Sequence, residues 1–275
     1  MSDQQTAARG GVVLVLRFAI TSLLNYLLGV VLAWILAPAA FGVVGTAQAV
    51  LLLCGLALGA GVPWALASRA AAGAPDPDPP AVGPPVAPNP VAEVSALFRS
   101  GLLLNTAAGT ALAAALLVAE ASGLRLIPSA SPVLLGATAA TLPVLSFNAV
   151  LAGMLQGSRR FTGLGTLQSV EVTVKAAVAV ALTTGAGMGA DGVAVGFLAG
   201  ACAATGVGLW SLRDLLPRRG ELAALLTFRV SVPFWVGSAS MAVLPTVDLL
   251  GLQLAGAASG VTTATLAAYQ VCGIL

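Results

Sequence analysis

Uncharged stretches long enough to cross a bilayer recur along this chain, and they constrain its fold more than any other feature. No Asp, Glu, Lys or Arg falls between Phe18 and Ser68, Ser100 and Ala119, Leu126 and Ser158, Gly192 and Leu212, or Val230 and Val247. A helix crossing the hydrocarbon needs roughly 20 apolar residues, so the first stretch is long enough for two spans and each of the others for one. Of 275 residues, 58% are hydrophobic and 8% charged, whereas soluble domains carry about 25% charge. A very apolar soluble core would not repeat at span length. The chain reads as all-α and polytopic, because hydrocarbon offers a helical backbone no partner beyond itself.

The spans fall at about 11–36, 43–67, 101–119, 133–155, 164–184, 192–212 and 228–250, and an eighth begins near 262. This gives a polar tail (1–10), a six-helix N-terminal lobe (11–212) and a linker (213–227). The last part, 228–275, starts a second lobe that stops after two helices, as a fragment would. The segment 72–92 is proline-rich, with Asp76 and Asp78, and reads as an extended cytoplasmic loop. A cleaved leader ending at Ala37-Pro38-Ala39 is disfavoured. Its apolar part would run about 7–15 residues, whereas this one is longer and contains Arg17 and Asn25.

Arginines set the orientation. With the N-terminus inside, Arg9, Arg69, Arg99, Arg159, Arg160, Arg213, Arg218, Arg219 and Arg229 lie on the cytoplasmic side and Arg125 alone lies outside. Basic residues near span ends resist translocation, so this bias places the protein across a cytoplasmic membrane in that sense.

Several activities are disfavoured. Histidine is absent, Cys54, Cys202 and Cys272 lie unpaired in apolar runs, and no Gly-x-x-x-x-Gly-Lys-Ser/Thr loop occurs. No cofactor, metal or nucleic acid is expected, and the chain does not read as an enzyme. The glycine-rich Gly185–Gly192 follows a membrane helix rather than a strand, so it reads as a turn capped by Asp191.

Polar residues at membrane depth are the candidate site. In the first span Arg17, Thr21, Asn25, Gly29 and Ala33 recur every four residues and form one helical stripe. Arg17 could snorkel to the headgroups; Asn25 could not. In the fifth span Gln168, Glu171 and Lys175, the only lysine, share a face. A single charge at the bilayer centre costs at least about 2.5–3.5 kcal/mol, so Glu171 and Lys175 either neutralise each other or serve a ligand. Asn148 lies in the fourth span and Asp248 near the outer end of the seventh. Pro63, Pro143, Pro233 and Pro245 interrupt backbone hydrogen bonding inside spans and offer hinges. Gly192, Gly196, Gly200, Ala204 and Gly208 form a small stripe suited to close helix packing.

An internal repeat supports two lobes. Leu36-Ala-Pro-Ala-Ala-Phe-Gly-Val43 aligns with Leu254-Ala-Gly-Ala-Ala-Ser-Gly-Val261 at an offset of 218 (254 − 36), and Cys54-Gly55 then falls on Cys272-Gly273. The first span thus corresponds to the seventh, as in parallel-repeat transporters.

Four segments in this order resemble the polysaccharide-export branch of the multidrug/oligosaccharidyl-lipid/polysaccharide (MOP) flippase superfamily. They are Leu36-Ala-Pro-Ala-Ala-Phe-Gly42, Leu155-Gln-Gly-Ser-Arg-Arg-Phe161, Leu167-Gln-Ser-Val-Glu171 and Val247-Asp-Leu-Leu-Gly251. The resemblance implies two six-helix lobes around a cavity that rocks between the two faces of a bacterial inner membrane. It implies an undecaprenyl-pyrophosphate-linked glycan as cargo, with a glycan polymerase and glycosyltransferases of the same pathway as partners. On that footing Arg17 and Lys175 would hold the phosphate, and Asn25, Asn148 and Gln168 would meet sugar hydroxyls. Glu171 or Asp248 would couple an ion or proton. A cation-coupled drug exporter of the same superfamily and a membrane-embedded enzyme of glycan assembly are the alternatives. The first favours acidic cavity residues, whereas here Arg17 and Lys175 face only Glu171; the second would need catalytic groups in outer loops that are short.

Overall fold

The computed structural model describes residues 3–72 and 90–215, side chains at 3–14, 17–18 and 90–93 excepted. Within them lie α1 (Asp3–Ile35), α2 (Pro38–Ala60), α3 (Val62–Ala72), α4 (Pro90–Ala121), α5 (Pro132–Gly157), α6 (Phe161–Val180), a π-helical turn (Ala181–Gly185) and α7 (Ala190–Ser211). There is no strand among the described residues, so the all-α expectation holds. Five stretches are long and apolar enough to cross a membrane: Pro38–Ala72, Val94–Ala121, Pro132–Gly157, Phe161–Gly185 and Ala190–Ser211. The apolar part of α1, Ala19–Ile35, is shorter. Residues 216–275, including Pro233, Pro245, Asp248 and the repeated segment, lie outside the described residues.

Helix starts follow the punctuation in the sequence. Pro38, Pro90 and Pro132 each open a helix, where a missing N–H is harmless because the first turn has no intrahelical acceptor. Ser131 caps α5 and accepts a hydrogen bond from Leu134 N at 3.0 Å. Three details differ from the sequence reading. First, α1 begins at Asp3, inside the stretch read as a tail. Second, the crossing Pro38–Ala72 breaks at Gly61 (φ −81°, ψ −85°), two residues before Pro63. Proline leaves the carbonyl four residues earlier unpaired, and glycine between the two yields most easily, so Pro63 becomes a first-turn residue of α3. α5, by contrast, continues through Pro143. Third, Gly189 rather than Asp191 caps α7. The Asp191 carboxylate instead accepts from the Ser131 hydroxyl, joining the starts of α5 and α7.

Between helices in lipid no hydrophobic effect operates, so close contact of small residues and interhelical hydrogen bonds carry the packing. The glycine stripe of α7 fulfils the sequence reading. A Cβ on Gly196 would stand 2.8 Å from Ala179 Cβ, one on Gly200 2.6 Å from Glu171 O, and one on Gly208 2.7 Å from Leu151 Cδ1. On α5, Gly153 lies against Pro63 O (2.4 Å from a built Cβ) and Gly157 against Ala67 O (2.7 Å), which fixes α3 to α5. Asn105 on α4 donates to Ser146 O on α5 at 2.7 Å. Apolar side chains form two clusters. One includes Leu32, Phe41, Leu116, Leu134 and Phe197; the other includes Leu66, Phe98, Leu151, Leu155 and Leu212. α1 rests chiefly on α6, with Val15, Leu16, Leu23 and Trp34 exposed as a lipid-facing surface requires.

Candidate functional site

The contact of α1 with α6 creates the site. Lys175 reaches from α6 and donates from Nζ to Asn25 Oδ1 on α1. The Asn25 amide nitrogen is turned back to its own helix, donating to Thr21 O at 3.1 Å, which leaves the oxygen aimed at the ammonium. On the opposite side the Phe197 ring of α7 lies 5.5 Å from Nζ, presenting the negative face of its quadrupole to the cation. Gly200 sets the height of this arrangement: a Cβ there would stand 2.8 Å from Lys175 Cβ and 2.6 Å from the carbonyl of Glu171. Only glycine lets α7 approach α6 this closely beneath the two charged residues.

Two cavities meet at this point. One, about 390 Å³, is lined by Asn25, Gln48, Thr141, Glu171, Lys175 and Phe197 with apolar residues of α2. The other, about 300 Å³, is lined by Asn25, Tyr26, Gly29, Gln48, Lys175 and Phe197 among others. Asn25, Gln48, Lys175 and Phe197 belong to both, so the ammonium stands where the two hollows join. An ammonium has three donors; Asn25 engages one, and among the described residues no other acceptor holds the rest. The pocket can therefore offer a cation to an anion while amides of Asn25 and Gln48 reach neighbouring polar groups.

The structure brings some of the expected residues together and not others. Asn25, Glu171 and Lys175 share the hollow, and Lys175 bonds to Asn25 rather than closing on Glu171 one turn away. Asn148 does not join them. It is buried, donating to Ala201 O at 2.8 Å and accepting from Thr205 Oγ1 at 2.7 Å, and so ties α5 to α7. Gln168 lies outside the lining of both hollows, with a buried Oε1 that has no hydrogen-bond partner among the described residues. Arg17 is on α1, two turns before Asn25, with its side chain outside the described residues, as is Asp248 altogether. Gln48 was missed. It is a lone amide in an uncharged run and is exposed to both hollows, a signal as good as that of Asn25. Phe197 carried no such signal.

This bundle of apolar helices around a hollow has the fold of membrane transporters. A solved structure described as the inward-facing conformation of a multidrug resistance MATE family transporter of the MOP superfamily superposes with a TM-score of 0.64 at 16% identity, over 93% of this chain and 59% of that one. A second, described as MATE in the bent conformation, gives 0.57 at 16% identity, over 86% and 54%. The chain thus spans little more than half the length of the transporters it resembles. No curated protein matches the sequence. Residues 7–272 match the polysaccharide biosynthesis protein family, and the chain belongs to that family.

Proposed function

We propose that this chain forms the substrate-holding lobe of a flippase that carries a glycan linked through phosphate to a polyprenyl lipid across a bacterial inner membrane. The observation that supports this most is Lys175 placed between two hollows with, among the described residues, a single amide oxygen as its hydrogen-bond partner. A pyrophosphate needs a cation when it leaves water, and a charge-assisted contact at membrane depth supplies one. Asn25 and Gln48 then meet sugar hydroxyls at the rim. Glu171, in the same hollow, answers to a coupling cation or proton and restores local neutrality when the cargo leaves. Transport follows from rocking of this lobe against a second, with Pro63 beside the Gly61 break and Pro143 as the flexing points. Arg17, on the same stripe of α1, adds a second cation, and Gln168 a further amide, on this reading. The drug-exporter alternative is less well supported, because a cationic cargo would meet Lys175 at the join of the two hollows.

The test is complementation by the full-length protein carrying Lys175→Ala, Lys175→Arg or Gln48→Ala, with export of lipid-linked glycan measured alongside the amount of protein in the membrane. Lys175→Ala should abolish export at normal abundance, Lys175→Arg should keep part of it, and Gln48→Ala should weaken it. Export unchanged by Lys175→Ala would remove the assignment.

A further inference from the structure

A second polar feature lies at the cytoplasmic ends of α6 and α7, about 22 Å along α6 from Lys175. Arg160 donates from Nη1 to Ser211 O at 2.7 Å and to Asp214 Oδ1 at 2.7 Å. Its Nη2 takes the other carboxylate oxygen. Both oxygens of Asp214 are therefore occupied by Arg160. Next to it Arg213 is exposed, and its guanidinium stands 5.9 Å from the ring of Trp210, which is 70% exposed. Arg160, Trp210, Ser211, Arg213 and Asp214 line an open cleft of about 440 Å³.

Three observations converge on a ligand class. Among the described residues the charges do not cancel: Arg159, Arg160 and Arg213 against Asp214 leave +2 (3 − 1). Among the described residues nothing hydrogen-bonds the Arg213 guanidinium, a planar fork of donors that matches phosphate geometry. It is stacked on a tryptophan at a span end, the depth where indoles favour the headgroup region. A polar headgroup above an apolar tail fits an arginine fork beside an exposed indole better than a free anion does, because the indole would otherwise be left against water.

We propose that this cleft docks the phosphate of an anionic phospholipid of the cytoplasmic leaflet, with Arg213 as the headgroup contact and Trp210 along its glycerol and upper acyl chain. The Arg160–Asp214 pair ties the end of α7 to the start of α6 and takes no part in the contact, which Arg213 and Trp210 make together. This site is independent of the cargo assigned to the central hollows.

The full chain in nanodiscs of phosphatidylcholine, with or without phosphatidylglycerol, provides the test, read as phosphatidylglycerol retained by native mass spectrometry. Each basic residue near an anionic leaflet contributes about fivefold in affinity, so Arg213→Ala should lower retention roughly fivefold. Arg213→Lys should restore part of it, and Trp210→Ala should weaken it. Asp214→Asn should leave retention unchanged or raise it by removing the opposing charge. A purely structural corner predicts the opposite for Asp214→Asn, since breaking the pair would loosen both helix ends. Equal retention of the neutral and anionic lipid by the unaltered chain would overturn the proposal. So would an Arg213→Ala chain of unchanged helicity that retains phosphatidylglycerol fully, or displacement of the lipid by inorganic phosphate alone.

Discussion

Replacing Gly200 with alanine adds one methyl group at the closest approach of α6 and α7. The new Cβ would stand 2.6 Å from Glu171 O, and ordinary contact begins at 3.4 Å, so the helices must part by about 0.8 Å (3.4 − 2.6). Overpacking of this kind costs about 1–3 kcal/mol. Alanine also recovers about 0.8–1.0 kcal/mol of helix propensity, which leaves a net loss of roughly 0–2 kcal/mol. Gly206 is the internal control. It lies on the same helix with nothing within 4 Å of a built Cβ, so Gly206→Ala keeps only the propensity gain. The two variants should differ by about 1–3 kcal/mol in reversible unfolding from detergent micelles. The displacement also falls where Lys175 leaves α6 to reach Asn25 on α1, so Gly200→Ala should impair transport more than its stability loss explains. Misplacing a contact by about 1 Å is enough to lower a rate by about a hundredfold. Indistinguishable stabilities for the two alanines would refute the reasoning, because they would mean that α6 and α7 are not in contact at Gly200.

Asn148→Ala removes two buried hydrogen bonds between α5 and α7. It should lower unfolding stability by about 1–2 kcal/mol, while cargo binding by the surviving folded protein stays unchanged. Arg159 is held at φ 57°, a left-handed conformation that costs a side-chain-bearing residue about 1–2 kcal/mol. Arg159→Gly should therefore raise the thermal midpoint, measurable by scanning calorimetry, whereas Arg159→Val should lower it. The Arg160 guanidinium, through its hydrogen bonds and then its charge, pulls the Asp214 carboxyl down to about 2, below the usual value of about 3.9. Because the folded value is depressed, the contribution of the pair is complete above about pH 4 and is lost as pH falls through about 2. Hydrogen-exchange protection at the end of α7, relative to the intrinsic rate at each pH, should fall over that acid window, and Asp214→Asn should show low protection at every pH.

Span positions were legible because the physics that sets them is local: an uncharged run, a proline opening a helix, a basic turn closing one. Ser131-Pro132 and Pro38 mark helix starts in the sequence as clearly as in the structure. The break at Gly61 was displaced from Pro63 because a proline's unpaired carbonyl lies a turn earlier, and the neighbouring glycine decides where the chain gives way. Pairings between spans were a different matter. Asn25 and Lys175 are separated by 150 residues, and nothing in either sequence neighbourhood says that α1 rests on α6. The same ignorance made Asn148 and Asn25 look alike. Both are single amides in apolar helices, but one faces the next helix and the other faces a hollow, a distinction set by rotation of the helix within the bundle. Gln48 is a lone amide in the same uncharged run as Asn25, without a charged residue nearby in the sequence to mark it.

Lys175 is the only lysine in this sequence, and the peptide that carries it reports on it individually after reaction with a small water-soluble amine reagent. In intact membranes, peptide mass spectrometry should find Lys175 modified, and a polyprenyl pyrophosphate added beforehand should protect it while leaving the N-terminal amine reactive. Lys175 that stays unmodified, or is modified to the same extent with the lipid pyrophosphate present, would contradict the placement of this ammonium in a wet, anion-binding hollow.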